Sequence, residues 1–393
     1  MTAELYRLLI GQIFLQTCMN GMRLALPIYA LNQGYSAAQA GVLLACLAVS
    51  NLVFAMPLGR MVDRRGLQFP WRLCVTAAVT SGLVCAALPN LWGMGVSAVL
   101  VGTSMGLSQM AAQRQSSLSA ANLQQRSEVF GWMTLAPAAA NMFGTLIVGF
   151  LLDHAGVVPS DRISLTVVCL FIITIALISM ALVRDVAEKE RPADAQWPAP
   201  KGAERATLSL LRDPGVRTVM VLNTLYFCFW NAFLLLVPVL AHERGLTSST
   251  VGIIFAAWAI PAALVRPLLP RLTAGIAPTR LIGILKLLTA ILLAALPYMW
   301  APWAYIVCAT LLGATMGSLQ PLLITMLTHL APHQRQGEAL GLRLTSLSAS
   351  QFGIPLLFGA GAALLNAALL FWGTAAVAVV GAWLALRVRA AAR

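Results

Sequence analysis

The chain has 393 residues, 59% of them hydrophobic and only 10% charged, with a net charge of +13. Soluble domains carry roughly 25% charged residues, so this chain has too little charge to clothe a water-exposed surface. Its basic residues fall in short clusters between long apolar runs, a pattern that excludes nucleic acid as a partner and fits the loops of a protein embedded in a lipid bilayer.

Crossing about 30 Å of hydrocarbon takes about 20 mostly apolar residues in a helix. Twelve segments qualify: 8–31, 38–59, 71–88, 92–113, 128–152, 164–183, 217–240, 249–269, 279–297, 301–327, 338–361 and 366–387. Runs this dense do not alternate as barrel strands do. The expected fold class is therefore all-α integral membrane, with 12 transmembrane helices. The first run is too long for the core of a cleavable leader and reads as a span that is kept. The seven cysteines lie inside apolar runs without a paired spacing and read as small apolar filler.

Span 1 carries Gln12, Gln16, Asn20, Arg23 and Pro27 at intervals of 4, 4, 3 and 4, which is one helical face. A polar stripe is disfavoured against lipid and should line a path between helices. Arg23 lies about 22 Å along the helix from Leu8, at 1.5 Å per residue. Two readings of it stand side by side: its planar fork binds the carboxylate or phosphate of an anionic solute, or it snorkels to the interface and bonds helix-end carbonyls. Further along, Asn51, Gln109, Asn141, Tyr226, Trp230, Asn231 and Gln320 sit at comparable depth. With Gln16, Asn20 and Arg23 they form the candidate substrate-binding set. Each alone is also ordinary interhelical glue.

The stretch 184–216 mixes Lys189, Arg191, Lys201 and Arg205 with Glu188, Glu190, Asp194, Glu204, Pro192, Pro198 and Pro200. It reads as a cytoplasmic linker between an N-terminal six-helix bundle (1–183) and a C-terminal one (217–393), with a short amphipathic stretch near 203–212. The two bundles match. A shift of 211 pairs Asn20 with Asn231, Pro27 with Pro238, Gly34 with Gly245, Gly41 with Gly252, Gly102 with Gly313 and Gln109 with Gln320; a shift of 210 pairs Glu128 with Glu338 and Gly131 with Gly341. One offset held over most of a half marks a repeat, and six spans per repeat give both halves the same orientation. Arginines concentrate after spans 2, 4, 8 and 10, which places both termini in the cytoplasm.

After span 2 the chain reads Gly59-Arg60-Met61-Val62-Asp63-Arg64-Arg65-Gly66. This resembles the G-x-x-x-D-R-x-G loop signature of the major facilitator superfamily, and the layout and repeat extend the resemblance over nearly the whole chain. It implies a major facilitator fold of two parallel six-helix repeats, alternating access, a monomer, and the inner (plasma) membrane as location. It also implies gating by Gly59, Asp63, Arg64 and Gly66, with Asp63 capping span 11 in one state and Arg114 and Glu128 completing a charge network. The matching loop of the second half has no Asp, so the gate should be asymmetric. Pro27-x-Tyr29 is similar to a drug-antiporter ending of span 1 with one Pro missing. Span 5, where antiporters carry G-P-x-x-G-G, has Gly144-Thr145-Leu146-Ile147-Val148-Gly149, lacking the Pro and one Gly.

No phosphate-binding loop of the G-x-x-x-x-G-K-[ST] type occurs, so ATP drive within the chain is excluded. No nucleophile–base pair or metal cluster suggests an enzyme, and no cofactor is expected. The four histidines lie near loops without ligand spacing. Two functions remain: proton-coupled efflux of a small organic solute, and proton-coupled uptake of an organic anion recognised by Arg23. No Asp or Glu lies deep in any span, so a coupling proton would use an end-lying carboxylate such as Glu128 or Glu338, or travel with the anionic solute. On the gating reading, Asp63→Asn should lower turnover while leaving solute affinity less affected, measured as kcat against KM for transport; equal rates in the two proteins would refute that role.

Overall fold

The structure, a computed structural model, describes residues 3–119, 123–158, 161–186, 210–269, 276–331 and 336–387, and within these helices some side chains lie outside the description. Twelve α-helices run through the described residues: α1 (Ala3–Asn32), α2 (Ala37–Arg65), α3 (Gln68–Ala87), α4 (Leu91–Ser119), α5 (Leu123–His154), α6 (Arg162–Val183), α7 (Pro214–Glu243), α8 (Ser248–Leu264), α9 (Pro278–Ala295), α10 (Pro302–Leu330), α11 (Gln336–Leu364) and α12 (Ala367–Arg387). Seven of them, α3, α4, α6, α7, α9, α10 and α12, are long and apolar enough to cross a membrane by length and composition. Large apolar side chains such as Leu83, Leu170, Ile291 and Leu357 stand exposed on the outside, where lipid rather than water makes their exposure favourable.

The signature at Gly59–Gly66, read as a loop from the sequence, is mostly helix: α2 continues to Arg65 and breaks at Gly66, whose φ of 65° suits a residue without a Cβ. Of the linker, only its two ends are described. A single 3₁₀ turn, Leu210–Arg212, precedes α7, whose first amides, those of Gly215 and Val216, donate to Asp213 Oδ1. The expected amphipathic stretch lies almost entirely outside the described residues.

The repeat is visible in atomic contacts. Gly34 and Gly245, at φ 83° and 64°, end α1 and α7 in the same left-handed turn. Ser36 and Thr247 then cap α2 and α8 at equivalent positions. Within the first half, Gly102 of α4 crosses α2 against the Leu47 carbonyl; in the second, Gly313 of α10 crosses α8 against the Trp258 carbonyl. Both members of each pair are related by the 211-residue shift.

The same symmetry joins the halves. The extensive contacts between them are α5 with α8 and α2 with α11, and α1 meets α7 between these two seams. Gly41 of α2 rests on Pro355 and Gly359 of α11, while Gly252 of α8 rests on Thr145 and Gly149 of α5. A Cβ built on Gly252 would lie 2.5 Å from the Thr145 carbonyl oxygen, and one on Gly359 would lie 2.9 Å from the Gly41 Cα. All four glycines sit at the end of the bundle away from the chain termini, called the far end below. Small residues let backbones approach where apolar burial supplies no net drive, because lipid is as apolar as Leu. A Gly252→Leu substitution should wedge α8 from α5. Transport should fall at least tenfold with the size-exclusion profile unchanged, and a variant that transports at the parent rate would contradict the seam as a closing contact.

Candidate functional site

Among the described residues, the far end carries a polar latch on the α5–α8 side. Asp153, at the end of α5, accepts from the backbone amides of Ser248 (3.0 Å, Oδ1) and Ser249 (2.6 Å, Oδ2), the first residues of α8 in the other half. A carboxylate at a helix N-terminus satisfies orphan amides and meets the positive end of the dipole. The equivalent position in the other seam, 210 residues on, is Ala363. Beside the latch, His242 Nδ1 lies 2.8 Å from Asn32 Oδ1, tying α7 to α1.

Deeper in, α7 forms the spine of a polar centre. Arg23 of α1, half-buried, donates from Nη2 to Asn231 Oδ1 at 3.3 Å, across the two halves. Asn231 is held in turn by the Phe227 carbonyl, to which its Nδ2 donates at 2.8 Å. Two turns back on α7, Asn223 Oδ1 accepts from Arg343 Nε of α11 at 3.1 Å. Gln320 of α10 accepts from Arg266 Nη2 at 3.4 Å. Tyr226 is buried between these levels, three residues along α7 from Asn223. Its ring lies 6.2 Å from Trp230, which meets Trp258 edge-on at 4.4 Å.

The sequence-derived set divides accordingly. Arg23, Asn231, Tyr226, Trp230 and Gln320 belong to this centre or its rim. Gln16 is buried on α1 with its Nε2 unpartnered among the described residues, as is Gln12 Oε1 on the same stripe. Asn20 is half-buried and turned towards α5, where a Cβ on Gly144 would lie 3.2 Å from its own Cβ. Gln109 and Asn141 are half-buried. The side chains of Asn51, Asp63, Arg64, Arg114 and Glu128 lie outside the described residues, so their proposed roles rest on the sequence; Gly59 is seen only as helical backbone of α2.

Sequence reasoning missed Arg343 and Lys286, and left Arg266 with its loop. Lys286 of α9 is fully buried, donates from Nζ to the Leu222 carbonyl at 3.2 Å and stands 5.0 Å from the centre of the Phe229 ring. The signal was present: basic residues well inside the apolar runs 338–361 and 279–297.

The sequence model of the Major Facilitator Superfamily matches residues 8–229 and 219–393, the two repeats in turn. The chain belongs to this superfamily. Among curated relatives, the multidrug resistance protein MdtG of Dickeya zeae (strain Ech586) is 25% identical over 346 residues, covering 84% of this chain and 80% of that protein. Its counterpart from Escherichia fergusonii is 23% identical over 324 residues, covering 80% and 76%. Among solved structures, a mutant of the nucleoside transporter NupG superposes with a TM-score of 0.79 at 12% identity, covering 98% of this chain and 99% of the other. A POT family transporter in complex with 5-aminolevulinic acid reaches 0.73 at 15% identity, covering 97% and 95%. Identities this low speak for the fold alone. The superfamily and the fold make the chain a multi-pass membrane transporter of small solutes.

Asp153→Ala should weaken the far-end seam. Hydrogen bonds to a charged group contribute about 1.5–3 kcal/mol each, so losing this pair should shift the closed-to-open ratio by tenfold or more. Spin labels at Val157 and Trp300, both exposed near the far end on opposite halves, should show a longer and broader distance distribution in the variant; an unchanged distribution would remove Asp153 as a latch.

Proposed function

We propose that the chain exports small amphipathic organic solutes across the inner membrane in exchange for protons, by rocking its two halves around the α7-centred site. The termini face the cytoplasm in this reading, so the far end faces outward and is the closed side. The carrying observation is the Arg23–Asn231 hydrogen bond: a polar contact between repeats, in the interior, beyond a seam that backbone contacts close. A polar pair in the interior of a membrane bundle belongs to a path or a site rather than to lipid.

Efflux is favoured by the two relatives named multidrug resistance proteins and by the aromatic cluster of Tyr226, Trp230 and Trp258, which suits solutes with apolar bodies. The second gate is assigned to Gly59, Asp63, Arg64, Gly66, Arg114 and Glu128 at the terminus end, opening as the Asp153 latch closes and closing as it opens. A ligand shifts such an equilibrium only by its differential affinity for the two states. Uptake of an organic anion recognised by Arg23 is the second reading, favoured by the neutral partner that Arg23 has in Asn231.

Purified protein in proteoliposomes, loaded with a panel of amphipathic solutes and given an imposed pH gradient, separates the two. Export requires outward flux accelerated by acid on the far-end side, and Arg23→Ala should lower the rate at least tenfold. Accumulation driven from the far-end side would reverse the assigned direction, and flux indifferent to both the gradient and Arg23 would defeat the reading.

A further inference from the structure

Among the described residues, three basic side chains stand inside the helical bundle: Arg343 and Lys286 buried, Arg23 half-buried. The partners seen for them among the described residues are neutral: Asn223, the Leu222 carbonyl and Asn231. Of the acidic residues in the described helices, all but Glu128, in the second turn of α5, fall in the first or last turn. Isolated cations in a low-dielectric interior are costly unless a counter-charge arrives.

The unsatisfied atoms at this level of α7 share one polarity. Asn223 is held by Arg343 Nε through its oxygen, which leaves Nδ2 pointing away as a donor. Asn223 Nδ2, Arg343 Nη2 and Tyr226 Oη are all buried and have no partner among the described residues. Each can donate. What they lack together is an acceptor with several lone pairs. A buried polar group left unpaired costs about 1–3 kcal/mol, so a ligand that accepts from all three is favoured here over an apolar or cationic one. A carboxylate offers roughly four lone-pair sites and matches a guanidinium fork.

We propose that Arg343, with Asn223 and Tyr226 of α7, forms an oxyanion-binding station that takes the carboxylate, phosphonate or sulfonate head of a solute whose apolar body lies against Trp230. The station is separate from Arg23, whose partner Asn231 lies eight residues along α7 from Asn223, about 12 Å at 1.5 Å per residue. Lys286 strengthens it from behind. Its Nζ bonds the carbonyl of Leu222, the residue before Asn223. Gly381 of α12 packs on its stem, since a Cβ there would lie 3.3 Å from the Lys286 Cδ. The inference rests on the proposed solute path between the halves.

The test compares 1-naphthoate with 1-naphthamide, matched in ring and differing in charge, by titration of the purified protein in nanodiscs. The station predicts naphthoate binding at least tenfold tighter than naphthamide. Arg343→Gln should abolish that preference, with naphthamide affinity unchanged, and Arg343→Lys should restore part of it. If Arg343→Gln does not fold, Tyr226→Phe keeps the ring and removes one donor, and should weaken naphthoate alone by about three- to tenfold. Equal affinities in the parent protein, or a preference that survives both Arg343→Gln and Tyr226→Phe, overturns the station. Export of neutral solutes with no anion preference would overturn it while leaving the proposed function standing. Absence of flux for every solute, with the naphthoate preference intact, would leave the station standing and remove the proposed function.

Discussion

Two helix backbones can touch only where no Cβ stands between them, and in this protein the touching points between the halves are glycines placed by the repeat. Gly41 and Gly252 are one pair of equivalents, Gly149 and Gly359 the other, and each member of the first pair packs on a member of the second. The seams α2–α11 and α5–α8 therefore close at the same depth on either side of α1 and α7. Closure at one end by backbone contact lets the interior stay polar without running a polar channel from one face to the other. The Asp153 latch breaks the symmetry: among the described residues, only the α5–α8 seam adds to its backbone contact a carboxylate on two helix N-terminal amides. An asymmetric pair of seams gives a rocking motion a preferred side to release.

Within that frame α7 carries the chemistry. Its polar residues recur at Asn223, Tyr226, Trp230 and Asn231, and each of Asn223 and Asn231 receives an arginine from a different neighbour, α11 for one and α1 for the other. Because the halves meet along α1 and α7, Asn231 touches a partner, Arg23, whose position would change in the proposed rocking, while Arg343 stays with α7 in its own half. Among the described residues, Asn223 Nδ2, Arg343 Nη2 and Tyr226 Oη are buried donors without an acceptor, and the proposed solute site is the reading in which a ligand completes them.

Much of this architecture was legible in the sequence. Twelve apolar runs gave twelve helices, because a helix that crosses lipid must satisfy its own backbone and clothe itself in apolar side chains over a fixed length. The 211-residue offset anticipated contacts such as Gly102 on Leu47 and Gly313 on Trp258, since equivalent glycines face equivalent crossings. Arg23 and Asn231 were legible as polar residues on the right faces, though not as partners of one another. Other features were not. Asp153 looked like a residue at the end of a span; its partners are backbone amides 95 and 96 residues away, which leave no trace in side-chain pattern. Arg343 and Lys286 were hidden by the habit of assigning arginine and lysine to connections, a rule about topology that says nothing of a cation inside a bundle. The signature at Gly59–Gly66 read as a loop because its charges suggest water, yet a long helix carries them past the apolar zone before Gly66 turns the chain.

The central claim is that the middle of α7 is reached by water from one side of the membrane at a time. It is tested most directly by a single cysteine at position 231 in a background with the seven native cysteines replaced, treated with a membrane-impermeant maleimide in vesicles of known and opposite orientation. The account predicts faster labelling from the terminus side in the parent protein, and a shift towards far-side labelling when the Gly252 seam or the Asp153 latch has been disrupted. Equal labelling from both sides in the parent protein, or none from either under any condition, would contradict it.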